Sequence, residues 1–217
     1  MRGNKSPERS VTEVRLVEAA VQLFARHGFK ATTTREIAQL ADLNEATLFR
    51  YFPRKPDLFL AALESDLSRI KLSRDLEMSV AGDEDPATVL PKIVTFVLHV
   101  LVAQPELQHL LHVAAFELPG SSTVISDYLG PIFDRLCAYF KRGAEKHTMR
   151  NVDPTLATLG LVGIVAAHQS LRDLFTRERL THPELEPAIA AYVNLYLHGL
   201  QPPPDGASDS SGSISFS

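Results

Sequence analysis

Apolar residues recur at three- and four-residue spacing along most of this chain, whereas the signals of half-buried strands do not recur. The pattern predicts an all-α protein. Ser10 followed by Glu13 is a capping box and Gly28 a C-terminal stop; between them Leu16, Ala20, Leu23 and Phe24 line one side of a first helix. Thr33 and Glu36 form a second capping box, which starts a short helix burying Ile37, Ala38 and Ala41. Asp42-Leu43-Asn44 breaks it. Asn44 then caps a third helix in which Leu48 and, on a neighbouring face, Phe52 point inward, before Pro53 ends it. Leu58, Ala62, Leu67 and Ile70 mark a fourth helix running from Lys55 toward Met78. Residues 82–85 (Gly-Asp-Glu-Asp) form a loop, and Pro86, Pro105, Pro154 and Pro183 each sit where a first-turn proline opens a helix. Pro91 and Pro131 either kink a helix or restart one.

Two short helices joined by a three- to four-residue turn make a helix-turn-helix, whose second helix enters the DNA major groove while the first crosses the phosphate backbone. The outward residues of the second helix suit that placement. Arg50 reaches guanine edges or phosphates, Thr47 and Asn44 hydrogen-bond base edges or phosphate, and Tyr51 offers a hydroxyl near the backbone.

Arg15, Ala19-Ala20, Leu23-Phe24, Gly28-Phe29, Thr32-Thr33, Glu36-Ile37-Ala38, Ala41, Thr47-Leu48-Phe49, Tyr51-Phe52 and Lys55 to Leu58 together resemble the N-terminal signature of the TetR family of bacterial transcriptional repressors. The resemblance covers residues 10–60. It implies an all-helical homodimer with an N-terminal three-helix DNA reader joined to a C-terminal helical domain for ligand binding and dimerisation. The implied layout is a flexible arm over 1–9, the helix-turn-helix domain over 10–56, the effector and dimerisation domain over 57–200, and a disordered tail over 201–217. It places Thr33, Arg35, Asn44, Glu45, Thr47, Phe49, Arg50, Tyr51 and Lys55 at double-stranded DNA, with Lys55 meeting phosphate at the start of the fourth helix. Asp42 stands where the family usually has Gly, a position Asp also tolerates. Phe49 stands where the family usually has Tyr, which removes a phosphate contact and leaves Arg50 and Tyr51 to compensate. Glu45 repels phosphate; it either accepts from a cytosine amino group or is a bystander.

Charge agrees with this split. Residues 1–57 hold 10 Lys/Arg against 7 Asp/Glu, whereas residues 58–217 hold 12 against 19. A single Cys excludes an intramolecular disulfide. No signal peptide is present, and the longest uncharged apolar run, Ile93 to Ala103, is too short to span a bilayer and reads as a buried helix. A cytoplasmic protein is the expectation.

Two C-terminal segments, 154–175 and 184–200, carry the association surface. The first interleaves Gly160, Gly163, Ala166 and Ala167 with Leu156, Leu159, Leu161, Val162, Ile164 and Val165, so it must be covered on several sides. The second shows Leu185, Ile189, Tyr192, Val193, Tyr196 and Leu197. The resemblance implies that both pack against their copies in a second subunit; intramolecular core is the other reading.

Phe96, His99, Leu111, His112, Phe116, Tyr128, Phe133, Cys137, Phe140, His168 and Gln169, aromatic or apolar with scattered polar handles, are the candidate lining of an effector cavity. So few cations lie among them that an apolar or aromatic small molecule is favoured over a phosphorylated one. No cofactor and no metal are expected: His109 and His112, one turn apart near Glu106 and His99, fit surface or capping roles. Cys137, between Phe133 and Phe140, has a buried and inert setting. No nucleophile with a base, paired carboxylates or phosphate-cradling glycine loop points to an enzyme. The expected function is a repressor released from a palindromic operator when a ligand shifts the fourth helix. A constitutive architectural DNA-binding protein, or an activator, is the alternative.

Overall fold

The computed structural model describes residues 10–82, 84–118, 120–175 and 185–201. Among these it is all-helical, with α1 Val11–Ala31, α2 Thr34–Leu40, α3 Glu45–Tyr51, α4 Lys55–Leu67, α5 Arg74–Ala81, α6 Pro86–Ala103, α7 Pro105–Glu117, α8 Ser122–Glu145, α9 Pro154–Phe175 and α10 Leu185–Leu200. The expected 1–9 arm, Pro183, Glu184 and residues 202–217 of the expected tail lie outside the described residues. No single helix among those described is long and apolar enough to cross a membrane.

The chain forms two compact units. One takes residues up to Lys71 together with Val100–Pro131; the other takes Leu72–His99 and residues from Ile132 onward. This division crosses the 56/57 boundary expected from the sequence. α4, α7 and the first part of α8 fall in the same unit as the helix-turn-helix.

In the first unit, Leu16, Ala20 and Phe24 recur every fourth residue, so they share one side of α1 and are fully buried. They meet Ile37 and Ala38 of α2, Leu48 of α3, Leu58, Phe59, Ala62 and Leu63 of α4, and Leu107, Leu110 and Val113 of α7 in one apolar cluster. At its centre the rings of Phe24, Phe29 and Phe59 lie 5.2 to 5.7 Å apart. Gly28 stops the regular turns of α1 as expected, with φ of +78°. The carbonyls this leaves are met by Thr32, whose buried hydroxyl lies 2.8 Å from Gly28 O and 3.1 Å from Leu23 O. Glu64 of α4 accepts from the Tyr128 hydroxyl of α8 at 2.7 Å, and Glu117 of α7 accepts from the Lys30 amide at 3.3 Å.

The second unit buries Leu76 and Val80 of α5, Val89, Leu90, Ile93, Val94 and Leu98 of α6, Leu136, Tyr139 and Phe140 of α8, and Leu161 and Val165 of α9. Lys92 of α6 binds α5 through Ser79 Oγ at 2.7 Å and Asp75 at 3.1 Å. Arg150 N donates to Leu200 O at 2.7 Å, which holds the segment before α9 to the end of α10.

One expectation is corrected and one open alternative is resolved. The fourth helix does not run to Met78; it stops at Leu67. Ser68 Oγ turns back onto Ser65 O at 2.7 Å, and Ser73, in an extended conformation, accepts from Leu76 N at 3.2 Å and so caps a new helix. Pro91 and Pro131 restart nothing: each lies inside a continuous helix, α6 and α8.

Candidate nucleic-acid interface

α2 begins with its capping box complete. Thr33 Oγ1 accepts from Glu36 N at 3.2 Å, and Glu36 Oε2 accepts from Thr33 N at 2.8 Å. The other end closes as a Schellman motif: Leu43 N donates to Ala38 O at 2.9 Å and Asp42 N to Gln39 O at 3.1 Å, with Asp42 at φ +53°. Asp42 thus takes the left-handed conformation that the turn requires. Arg15 of α1 adds an exposed ion pair to its carboxylate at 3.2 Å.

α3 is set by Asn44, whose Oδ1 accepts from Thr47 N at 2.7 Å, and by Leu48, which is fully buried beneath it. Glu45 is half-buried and accepts from Thr34 Oγ1 at 2.5 Å, so its carboxylate ties the start of α3 to the start of α2. Ala46, Phe49 and Arg50 are left exposed, with Thr47 and Tyr51 half-exposed. The Arg50 guanidinium carbon lies 5.4 Å from the Tyr51 ring centre. Hydrogen bonds with the Ser10 and Thr12 side chains hold the Tyr51 phenol below its usual pKa.

The cations around this motif are not equivalent. Arg54 makes a fork with Asp57 at 2.7 and 3.0 Å, which raises its own pKa and lowers that of Asp57. Lys55 opens α4 with its ammonium 4.5 Å from the Phe29 ring centre and 3.5 Å from Lys30 O; burial lowers its pKa against the fields of Glu117 and Glu36. Arg35 and Arg50 are exposed and pair with no carboxylate among the described residues. Both are placed to meet phosphate or base edges, Arg50 while it also hydrogen-bonds the Tyr51 phenol.

Residues 16–62 match the family of bacterial regulatory proteins designated tetR. The chain's N-terminal region is that of the TetR family. The chain is 46% identical over 57 residues to the uncharacterized HTH-type transcriptional regulator YvkB of Bacillus subtilis, covering 26% of this chain and 30% of the relative. It is 25% identical over 152 residues to the HTH-type transcriptional repressor KstR of Rhodococcus jostii, covering 70% and 66%. These matches span less than two thirds of either relative's length. The fold is similar to the fatty acid degradation regulator FadR of Bacillus halodurans, with TM-score 0.65, 20% identity, and 88% of this chain and 96% of that one covered. It is also similar to AibR in complex with isovaleryl coenzyme A and operator DNA, with TM-score 0.62, 19% identity, and 89% and 100% covered.

In this chain the nine DNA-side candidates all lie in the first unit, on α2, α3 and the starts of those helices and of α4. The effector candidates are not brought together in the same way. His112, Phe116 and Tyr128 belong to the first unit, whereas Phe96, His99, Phe133, Cys137 and His168 belong to the second. His99, His112 and Phe116 are exposed, and the side chain of Gln169 lies outside the described residues. Cys137 is half-buried rather than buried, with Sγ 3.3 Å from Thr158 Oγ1, and His168 Nδ1 lies 2.6 Å from the Tyr192 hydroxyl. Among the described residues no group of three His, Cys, Asp or Glu is placed to hold a metal. Sequence reasoning missed the roles of Arg15 and Arg54. The Arg54–Asp57 spacing at a helix start was a readable signal; the Arg15–Asp42 pairing, across 27 residues, was not.

The capping box carries a pH dependence. The Thr33 amide, more than any other group, lowers the Glu36 pKa. A carboxylate lowered on folding contributes stability above its unfolded pKa and loses it as pH falls through the folded value. The start of α2 is therefore expected to fray as pH drops below about 4. The protection factor of the Thr33 amide, exchange being followed by NMR, should fall there; a protection factor unchanged from pH 7 to 3 would contradict the assignment.

Proposed function

We propose that the chain is a homodimeric transcriptional regulator that represses by occupying a palindromic operator and is released by a small-molecule effector. The observation that carries this reading is the α2–turn–α3 unit, locked at both caps and by Thr34–Glu45, with Arg35 and Arg50 exposed and without carboxylate partners beside it. A locked reading helix costs little ordering entropy on binding, and two guanidiniums without carboxylate partners suit phosphate and guanine recognition. α3 then enters the major groove, with Arg50, Thr47 and Phe49 toward the bases and Arg35 toward the backbone. Glu45 and Asn44 act chiefly by fixing α2 and α3, since Glu45 Oε1 and Asn44 Oδ1 are already engaged.

KstR, with which 70% of this chain aligns, is named a repressor, which supports repression, and AibR, similar in fold, is seen in complex with isovaleryl coenzyme A and operator DNA, which supports a ligand-responsive operator binder. Because α4 ends at Leu67, a ligand signal does not pass along one long fourth helix. α6 and α8, which each contribute residues to both units, are the continuous elements available to carry it. For ~100-fold release, the effector must favour the DNA-incompetent state by ~2.7 kcal/mol.

On an operator recovered by selection, Arg50→Ala is expected to weaken binding by ~1 to 3 kcal/mol and relax preference at one base position. Fluorescence anisotropy with single-base operator variants measures both. Affinity and preference unchanged would remove Arg50 from the interface.

A further inference from the structure

The effector candidates named from the sequence do not line a cavity that the second unit presents on α5 and α8. That cavity, of about 580 Å³, lies between α5 and α8. Its volume is within the range of small-molecule sites. Its chemistry is cationic. Arg74 of α5 and Arg135 and Arg142 of α8 line it, against the one carboxylate of Glu77.

The three arginines are differently disposed. Arg135 pairs with Glu77 at 2.5 Å, which spends the single countercharge. Arg142 is anchored through Nη2 to the carbonyl of Val80 at the end of α5, while its Nε is buried with no acceptor. A buried N–H of a charged group without an acceptor is costly, so Arg142 lines the cavity with its charge incompletely met. Arg74 is exposed at the start of α5 and has no carboxylate partner among the described residues. Beside them the wall is apolar: Met78 is 59% exposed and Val80 contributes to the lining. An exposed methionine next to unneutralised guanidiniums suits a molecule with one apolar and one anionic end.

We propose that the α5–α8 cavity binds a small amphipathic organic anion, with its carboxylate or phosphate held by Arg74, Arg135 and Arg142 and its apolar part on Met78. This departs from the apolar, uncharged ligand favoured by the sequence. It rests on the ligand-responsive reading only in making this site the effector's; the binding itself does not depend on it.

The test titrates full-length protein calorimetrically at ~150 mM salt, so that diffuse charge attraction is screened. The probes are octyl phosphate, octanoate and octyltrimethylammonium. Octyl phosphate is expected to bind one per chain, octanoate more weakly, and the cation not at all. The double variant Arg74→Gln/Arg135→Gln, both exposed positions, is expected to weaken octyl phosphate about 10- to 100-fold. Glu77→Gln removes the countercharge and is expected to tighten it severalfold, a gain that misfolding does not produce. Equal binding of anion and cation, or affinities unchanged in both variants, overturns the proposal. Operator binding by the double variant without probe separates the two readings. Retained DNA affinity supports a ligand role for these arginines, whereas lost affinity assigns them to DNA and overturns the anion site while leaving the regulator standing. Anion binding by a protein that selects no operator would do the reverse.

Discussion

Phe59→Ala is expected to destabilise the first unit by about 3–5 kcal/mol. Phe59 is fully buried, and its ring meets Phe24 at 5.2 Å and Phe29 at 5.6 Å in edge-on geometry. Truncation removes burial and both ring contacts, and it opens a cavity where α1 and α4 meet. The same cluster holds Leu48 and Ile37, the anchors of the reading helices, so the DNA-binding surface weakens along with its support. Whole domains retain only about 5–15 kcal/mol of stability, so a loss of this size leaves the unit close to melting at growth temperature. Urea unfolding followed by circular dichroism measures it. A loss below about 1 kcal/mol would mean that this site collapses without a cavity, contrary to the close packing seen.

Leu159→Arg is expected to break the dimer and weaken operator binding by about 10²–10⁴-fold. α9 has two apolar faces. Ala157, Leu161 and Val165, four residues apart, are buried within the chain. Leu156 and Leu159 are 66% and 54% exposed, with exposed Gly160, Gly163 and Ala167 along the same helix. Leu195 of α10, 60% exposed, adds to this patch, and a groove bounded by Leu156, Leu195 and Tyr196 runs through it. Exposed leucines beside small residues on helices let two backbones approach closely, and a buried arginine there has no described countercharge. Since Leu159 is already more than half exposed, the single chain tolerates the change, and each half-site is then bound independently. Sedimentation velocity gives the mass and operator titration gives the affinity. A variant that stays dimeric would move the interface off α9.

The DNA-reading part was legible because its determinants are local. Ser10, Thr33 and Asn44 each cap the helix expected of them, and Asp42 supplies the turn. The end of α4 was misread because Leu67 and Ile70 continue a helical spacing, although Ser73 ahead of Asp75 and Glu77 was a start signal. Pairings of large sequence separation, such as Arg15 with Asp42 or Tyr128 with Glu64, leave no periodic trace. The α5–α8 cavity was the least legible. Aromatic content marks apolar segments but does not say which side of a helix they occupy, and the arginines lining the α5–α8 cavity lie on segments whose mixed charge reads as ordinary surface. α9 shows the same limit: spacing predicted that it must be covered on several sides, and only the structure separates the face covered within the chain from the face left exposed.

Selection of sheared source-genome fragments on the purified full-length protein at ~150 mM salt, followed by sequencing, tests the central claim most directly, because non-specific phosphate binding fades at that ionic strength. The account predicts recovery of a palindrome whose half-sites lie about one or two DNA turns apart. Fragments sharing no motif, held only by binding that disappears as salt rises, would contradict it.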